Sequence, residues 1–261
     1  MTYIATRLTH RYSRAVYVLT GAAAILLASH SARAELLNMV QLDFQNGSGS
    51  GSFQVAVPSF TDQFQFNLPA PVNVYNTGSG ALLGTIKDLQ ITMDGDPGIT
   101  LGFNVDATNV ATHVTFSSAV LSFAPLTNSQ AFASAAITVT DNDGDGATAS
   151  GLLPGGTAYQ AQYNGGPIFA NLLLTPITSP ADGSTTASDR VPLAGNTGIG
   201  TVSSIHSQFD FMLSANDSAS GTSRFNVVAG PSVPEPSTLI LALTGALALL
   251  WRFRRRKASA I

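Results

Sequence analysis

The segment AFASAAITVT, residues 131–140, runs directly into DNDGDG, residues 141–146. Its last four residues, Ile137-Thr138-Val139-Thr140, alternate apolar and polar side chains. A period of two puts one face of a strand on a core and the other in solvent. β-Branched residues suit that pleated surface, and the Asp/Asn/Gly run that follows favours a turn. His113-Val114-Thr115-Phe116 repeats the alternation. Working outward, short β-branched or aromatic runs predict strands at 36–44, 53–57, 63–68, 83–93, 99–105, 111–116, 119–123, 131–140, 168–174, 201–213 and 224–228. Turn formers punctuate them at Asn46-Gly47, Asp94-Gly95, Asn164-Gly165-Gly166 and Asp182-Gly183. No long segment has apolar residues at helical spacing, and no fixed repeat period emerges. The pattern predicts an all-β fold, a single antiparallel β-sandwich or jelly-roll-like domain. Residues 144–166 and 175–200 read as loops. Residues 42–44 with 53–55, and 209–211 with 225–227, each read as a hairpin, or as the ordinary recurrence of aromatic and β-branched residues in a β protein.

Only 10% of the 261 residues are charged, and the net charge of −3 is unevenly spread. Of the 12 basic residues, four precede position 34 and five follow position 251. Between Glu35 and Val233 only Lys87, Arg190 and Arg224 face 14 acidic residues, a net charge of −11. A nucleic-acid partner needs clustered Lys and Arg on the binding domain, so this composition excludes one. The absence of cysteine excludes disulfides, thiolate zinc sites and a cysteine nucleophile.

The basic ends read as addresses. Arg7, Arg11 and Arg14 precede a 14-residue apolar stretch at 15–28, shorter than the about 20 residues a membrane-spanning helix needs. Ala32-Arg33-Ala34 then offers the small residues signal peptidase requires. Residues 1–34 therefore read as a secretory signal peptide, and 35–232 as the acidic, β-rich exported domain. Residues 233–261 hold Pro234-Glu235-Pro236, an apolar helix-forming run at 238–251 and the basic run RFRRRK at 252–257. Pro236 stops a helix from running upstream, and the basic run holds the end of this short anchor helix in the cytoplasm.

This three-part tail resembles the PEP-CTERM sorting signal of Gram-negative bacteria, on Pro234, Glu235 and Pro236, the anchor helix and the basic run. The resemblance covers about the last 30 residues. It implies processing by an exosortase, a membrane-embedded cysteine transpeptidase cutting near Pro234–Pro236 after transient anchoring through the helix. It further implies a cell-surface or matrix location and association with exopolysaccharide.

Chemistry within the exported domain centres on Asp141, Asp143 and Asp145. Carboxylates at alternate positions with glycine sixth match the first half of a calcium loop, but position twelve is Leu152 rather than glutamate and a strand precedes the loop. The expectation is a strand-anchored calcium loop; the plainer alternative is a solvated Asp/Gly turn. Asp94 and Asp96 form a poorer copy. Tyr159 and Tyr163 are candidates to stack on sugar rings, with packing onto the core as the alternative. His113 and His206 sit in no catalytic motif, and no G-x-S-x-G, H-E-x-x-H or P-loop pattern occurs. The expected function is that of a non-enzymatic exported envelope or matrix protein. The alternatives are a calcium-dependent carbohydrate-binding or adhesion module, and an exported hydrolase on a β-sandwich scaffold.

Overall fold

A computed structural model describes residues 38–230 and 243–245. The signal-peptide residues Ala32 and Ala34 and the sorting residues Pro234, Glu235 and Pro236 lie outside the described residues. Residues 243–245, within the expected anchor, are helical. Among the described residues no helix is long and apolar enough to cross a membrane. The rest is nearly all β, with 69% strand.

In chain order the strands are β1 (Asn38–Asn46), β2 (Gly49–Val57), β3 (Gln63–Asn67), β4 (Val72–Tyr75), β5 (Leu82–Asp94), β6 (Gly98–Ala107), β7 (Thr112–Ser117) and β8 (Leu121–Thr140). There follow β9 (Ala147–Gly151), β10 (Thr157–Tyr163), β11 (Ile168–Leu174), β12 (Ile177–Ser179), β13 (Ser184–Val191), β14 (Thr197–Leu213) and β15 (Ser218–Val228). Every pairing is antiparallel, and the longest path runs β2-β1-β7-β14-β8-β15-β6-β5-β3.

This one ladder folds over on itself because its two long strands change partners. Residues 208–213 of β14 pair with β7, and 205–209 pair with β10 on the other edge. Residues 197–205 of the same strand pair with β8. The second half of β8 instead pairs with β15 and β13. Register shifts between Gly198 and Ser204, together with a positive φ at Asn128 and Gly200, bend the crossover. The result is a barrel-like, two-layered antiparallel fold, in line with the expected class.

The inner faces meet through aromatic rings. Phe103 of β6 packs on Phe116, Phe209 and Phe211 across the core, at centroid distances of 5.9, 5.1 and 5.8 Å. Phe169 of β11 stacks on Phe225 of β15 at 5.5 Å. Alternation explains which residues turn inward. Ile205, Ser207, Phe209, Phe211 and Leu213 are buried, while His206, Gln208, Asp210 and Met212 between them are only half-buried. Gly221 of β15 is register partner to Phe103, and a Cβ there would lie 2.5 Å from the Phe103 ring. The ring occupies the space that the missing side chain leaves.

Three expectations need correction. Residues 144–166 and 175–200 are not long loops, since they contain β9, β10, β12 and β13. β10 lies between β14 and β11 and is buried along most of its length, so it shows no alternation. β13 is a polar edge strand whose sequence, STTASDRV, turns only Ala187 and Val191 as apolar residues toward the core. The run at 131–140 and the run at 119–123 from Leu121 onward belong to one 20-residue strand that continues through Pro125. Finally, 42–44 and 53–55 do form a hairpin, but 209–211 and 225–227 do not. β14 and β15 belong to opposite layers, and β15 pairs with β8 and β6.

Removing the Phe103 ring leaves a cavity among its three aromatic partners. Phe103→Ala is expected to lower unfolding stability by about 3–5 kcal/mol in urea titrations. Gly221→Ala should also destabilise, by pushing that ring off its seat.

Candidate functional site

One end of the fold gathers three turns. The loop 141–146 leaves β8, the turn 180–183 joins β12 to β13, and the turn 214–217 carries the chain from β14 to β15. The β8–β15 register explains the meeting. Thr140 pairs with Ser218, so Asp141 and Asp217 are the next residues outward on adjacent strands.

Asp141 is buried and held by backbone donors. Its carboxylate accepts the N–H of Gly144 at 3.1 Å and that of Asp182 at 2.5 Å, while its own N–H donates to the Gly183 carbonyl at 3.0 Å. Gly144 and Gly146 have φ of 88° and 95°, a region that favours glycine, and this lets the loop curl back over Asp141. Asp217 has no exposed surface; it accepts the Ser214 hydroxyl at Oδ2 and the Asn142 N–H at Oδ1, 3.3 Å away. The Asn142 amide ties the loop to the turn through the Asn216 carbonyl (3.2 Å) and the Ser218 hydroxyl (2.6 Å). Asn216 donates in return to Asp143, at 2.7 Å.

Asp141, Asp143 and Asp217 thereby each offer a carboxylate oxygen, all within 4.8 Å of one another. Burial pushes the Asp217 carboxyl up from its ordinary range; donors from Ser214 and Asn142 oppose this, and the charges of Asp141 and Asp143 add to it. Burial also works against the charge on Asp141, but the N–H groups of Asp182, Gly146, Asp143 and Gly144 outweigh it and hold that carboxyl low. Asp145 is raised by a hydrogen bond shared with Asp143 and then by that neighbour's charge. So Asp141 is fixed as an anion while Asp217 and Asp145 resist ionising beside it. The donor set fits a hard divalent cation, because Ca²⁺ takes oxygen ligands at about 2.3–2.6 Å and oxygens sharing one ion lie within about 5 Å of each other.

Of the expected ligands, Asp141 and Asp143 are brought together. Asp145 is exposed and turns to Asp143, and its place in the trio is taken by Asp217. Asp217 was missed because no local motif marks it; only the pairing of β15 with β8 brings it there. Asp94 ends β5 and Asp96 lies in the turn between β5 and β6; Asp94 accepts the Gln63 amide at 2.6 Å. Among the described residues they join no group of three ligands.

Tyr159 is not placed to stack on a ligand. It is fully buried, 5.0 Å from the Phe209 ring centroid, with its hydroxyl 3.0 Å from that of Ser207. Burial pushes its phenol up to about 12. Tyr163, at the end of β10, is half-buried and packs against the core. Both tyrosines therefore follow the core-packing alternative.

The histidines lie on the outward face of β7 and β14. His113 Nε2 is 2.5 Å from Asp210 Oδ1 and 3.1 Å from the Thr115 hydroxyl. One nitrogen meets both partners, whereas a nucleophilic relay needs the carboxylate and the hydroxyl on opposite ring nitrogens. His206 Nε2 lies 2.9 Å from the Ser117 hydroxyl. Burial pushes the His206 imidazole below its ordinary value, partly offset by the Ser118 backbone.

Fold and site thus define an acidic, antiparallel β protein with an oxygen-rich carboxylate cluster at one end. Residues 232–256 match the PEP-CTERM protein-sorting motif, so the chain carries that sorting signal, which implies export, membrane anchoring and then processing by an exosortase. No curated protein sequence matches the chain. Among solved structures, Broad Bean Stain Virus has 8% identity and a TM-score of 0.21 over 75% of this chain and 84% of that one. The glycoside hydrolase domain of Endo-D from Streptococcus pneumoniae R6 has 10% identity and a TM-score of 0.21 over 66% of this chain and 22% of that one. A carbohydrate binding module of Cellvibrio mixtus lichenase 5A, solved with cellotriose, has 13% identity and a TM-score of 0.18 over 60% and 87%. Likeness at these scores carries no argument about function.

The histidine environment gives a pH test. An unfolded chain binds a proton on His206 near pH 6.5, whereas the folded chain does so only at lower pH. This contribution to stability is therefore fully present above that pH and is lost as pH falls toward the depressed folded value. His206→Gln keeps a neutral partner for Ser117, and the drop in melting temperature from pH 7.5 to 5 should shrink. An unchanged drop would contradict the assignment.

Proposed function

We propose that the exported domain is a non-enzymatic component of the cell surface or extracellular matrix of a Gram-negative bacterium, associated with exopolysaccharide. The observation that carries this reading is the match to the sorting motif at residues 232–256, directly behind an acidic, disulfide-free β domain. The single-nitrogen contacts of His113 and the depressed imidazole of His206 support a structural role for both. Replacing Pro234, Glu235 and Pro236 together by alanine should leave the protein in the inner membrane, as read by fractionation. Unchanged sorting would overturn the role assigned to the tripeptide.

A second reading, a calcium-dependent carbohydrate-binding or adhesion module, is favoured by the trio Asp141, Asp143 and Asp217. Calcium there would relieve the repulsion that raises Asp217 and would clamp the start of β15 to the end of β8. Its binding only to the folded state would raise the melting temperature with calcium concentration. At 100 times the dissociation constant the gain is about 2.7 kcal/mol, and Asp217→Asn together with Asp141→Asn should abolish it. A melting curve that stays the same from chelator to millimolar calcium would remove this reading.

A further inference from the structure

A cavity of about 570 Å³ opens on the outer face of the layer formed by β13, β8, β15 and β6, away from the acidic turns. Its walls hold Arg190 and Arg224, two of the three basic residues between Glu35 and Val233. Register explains the pairing, since Arg190 of β13 and Arg224 of β15 both lie opposite Ser134 of β8. Their backbones are thus two strand spacings apart, about 10 Å. Lys87, the third basic residue, is held by Asp106 at 2.7 Å. Neither arginine forms an ion pair among the described residues; Arg224 Nε donates to Asn226 at 3.1 Å. Asp189 also lines the cavity, with its Oδ1 accepting the Arg190 backbone N–H at 2.7 Å.

Ser134 lies between the arginines, the hydroxyls of Thr222 and Thr100 continue the groove along β15 and onto β6, and Leu193, which is 76% exposed, stands at one side. A smaller cavity of about 170 Å³ shares Ala136 and Thr222 with it and extends the groove along β8 and β15. β8, β15 and β6, the floor of the groove, are paired on both edges, so that floor offers no backbone edge for an added peptide strand. Recognition must therefore come from side chains: guanidinium forks for carboxylates, hydroxyls for hydroxyls and one apolar contact for a ring face.

We propose that this groove binds an acidic polysaccharide, a linear glycan whose carboxylates pair with Arg190 and Arg224. The assignment gives the exopolysaccharide association proposed above a site and a charge class, and rests on that reading. It does not involve the carboxylate trio, so binding is independent of calcium.

The test uses the detergent-solubilised full chain in chelator, titrated with polymannuronate, neutral dextran and polyglutamate. Polymannuronate should bind, dextran should not, and affinity should fall as salt rises. Arg190→Gln and Arg224→Gln should each weaken binding roughly tenfold, as expected for a charge-assisted contact. Lys87→Gln should leave it unchanged. Binding undiminished in both arginine variants, or insensitive to salt in the wild type, overturns the groove while leaving glycan association intact. Stronger binding to polyglutamate overturns the glycan class in favour of an acidic protein partner. Binding to no glycan overturns both the groove and the association. Because the salt series is read on the wild type, a poorly folding variant does not rescue the proposal.

Discussion

The register of β15 between β8 and β6 is the constraint on which the other features depend. Ser218 opposite Thr140 brings Asp217 beside Asp141, and Arg224 opposite Ser134 brings it level with Arg190. Gly221 opposite Phe103 opens the space that the central ring fills. A slip of one residue would send every β15 side chain to the other face. Arg224 would then enter the core, Phe225 would leave it, and the acidic turn would lose its partner. Burial on one face thus enforces the geometry of both candidate sites.

The two outer faces carry different chemistry over the same kind of core. On the layer containing β1, β7 and β14, half-buried polar residues interlock: Gln41 with Asp43, His113 with Asp210, Ser117 with His206. Those groups satisfy one another. Around the groove on the β13, β8, β15 and β6 layer most residues are small or hydroxylic, and among the described residues neither arginine forms an ion pair. No disulfide ties the layers together, and the aromatic contacts of Phe103 and Phe225 carry that load.

Where a strand has one wet and one dry face, its sequence announced it. β7 and the second half of β14 alternate so regularly that both were legible, as was the Asn46-Gly47 turn between β1 and β2. β10 was hidden because it is covered on most positions, and β13 because it is covered on few. The acidic loop declared itself through Asp141 and Asp143, since its geometry is local. Asp217 and the Arg190–Arg224 pair could not be read, because strands far apart in sequence bring them together. Tyr159 misled for the opposite reason: a tyrosine among glycines resembles a loop aromatic until β14 and Phe209 close over it.

The direction of β15 also relates the candidate sites to the membrane. The strand begins at Ser218 beside the acidic turns and ends at Val228, only a few residues before the sorting motif at 232. Eleven residues of strand cover about 36 Å. The carboxylate trio therefore sits at the end of β15 remote from the point where the chain leaves for its anchor. Arg224 lies between the two ends, on a face rather than a tip, which suits a polymer lying across the domain. A cation at the trio and a glycan in the groove would thus use separate surfaces of one strand, with β15 as their shared frame.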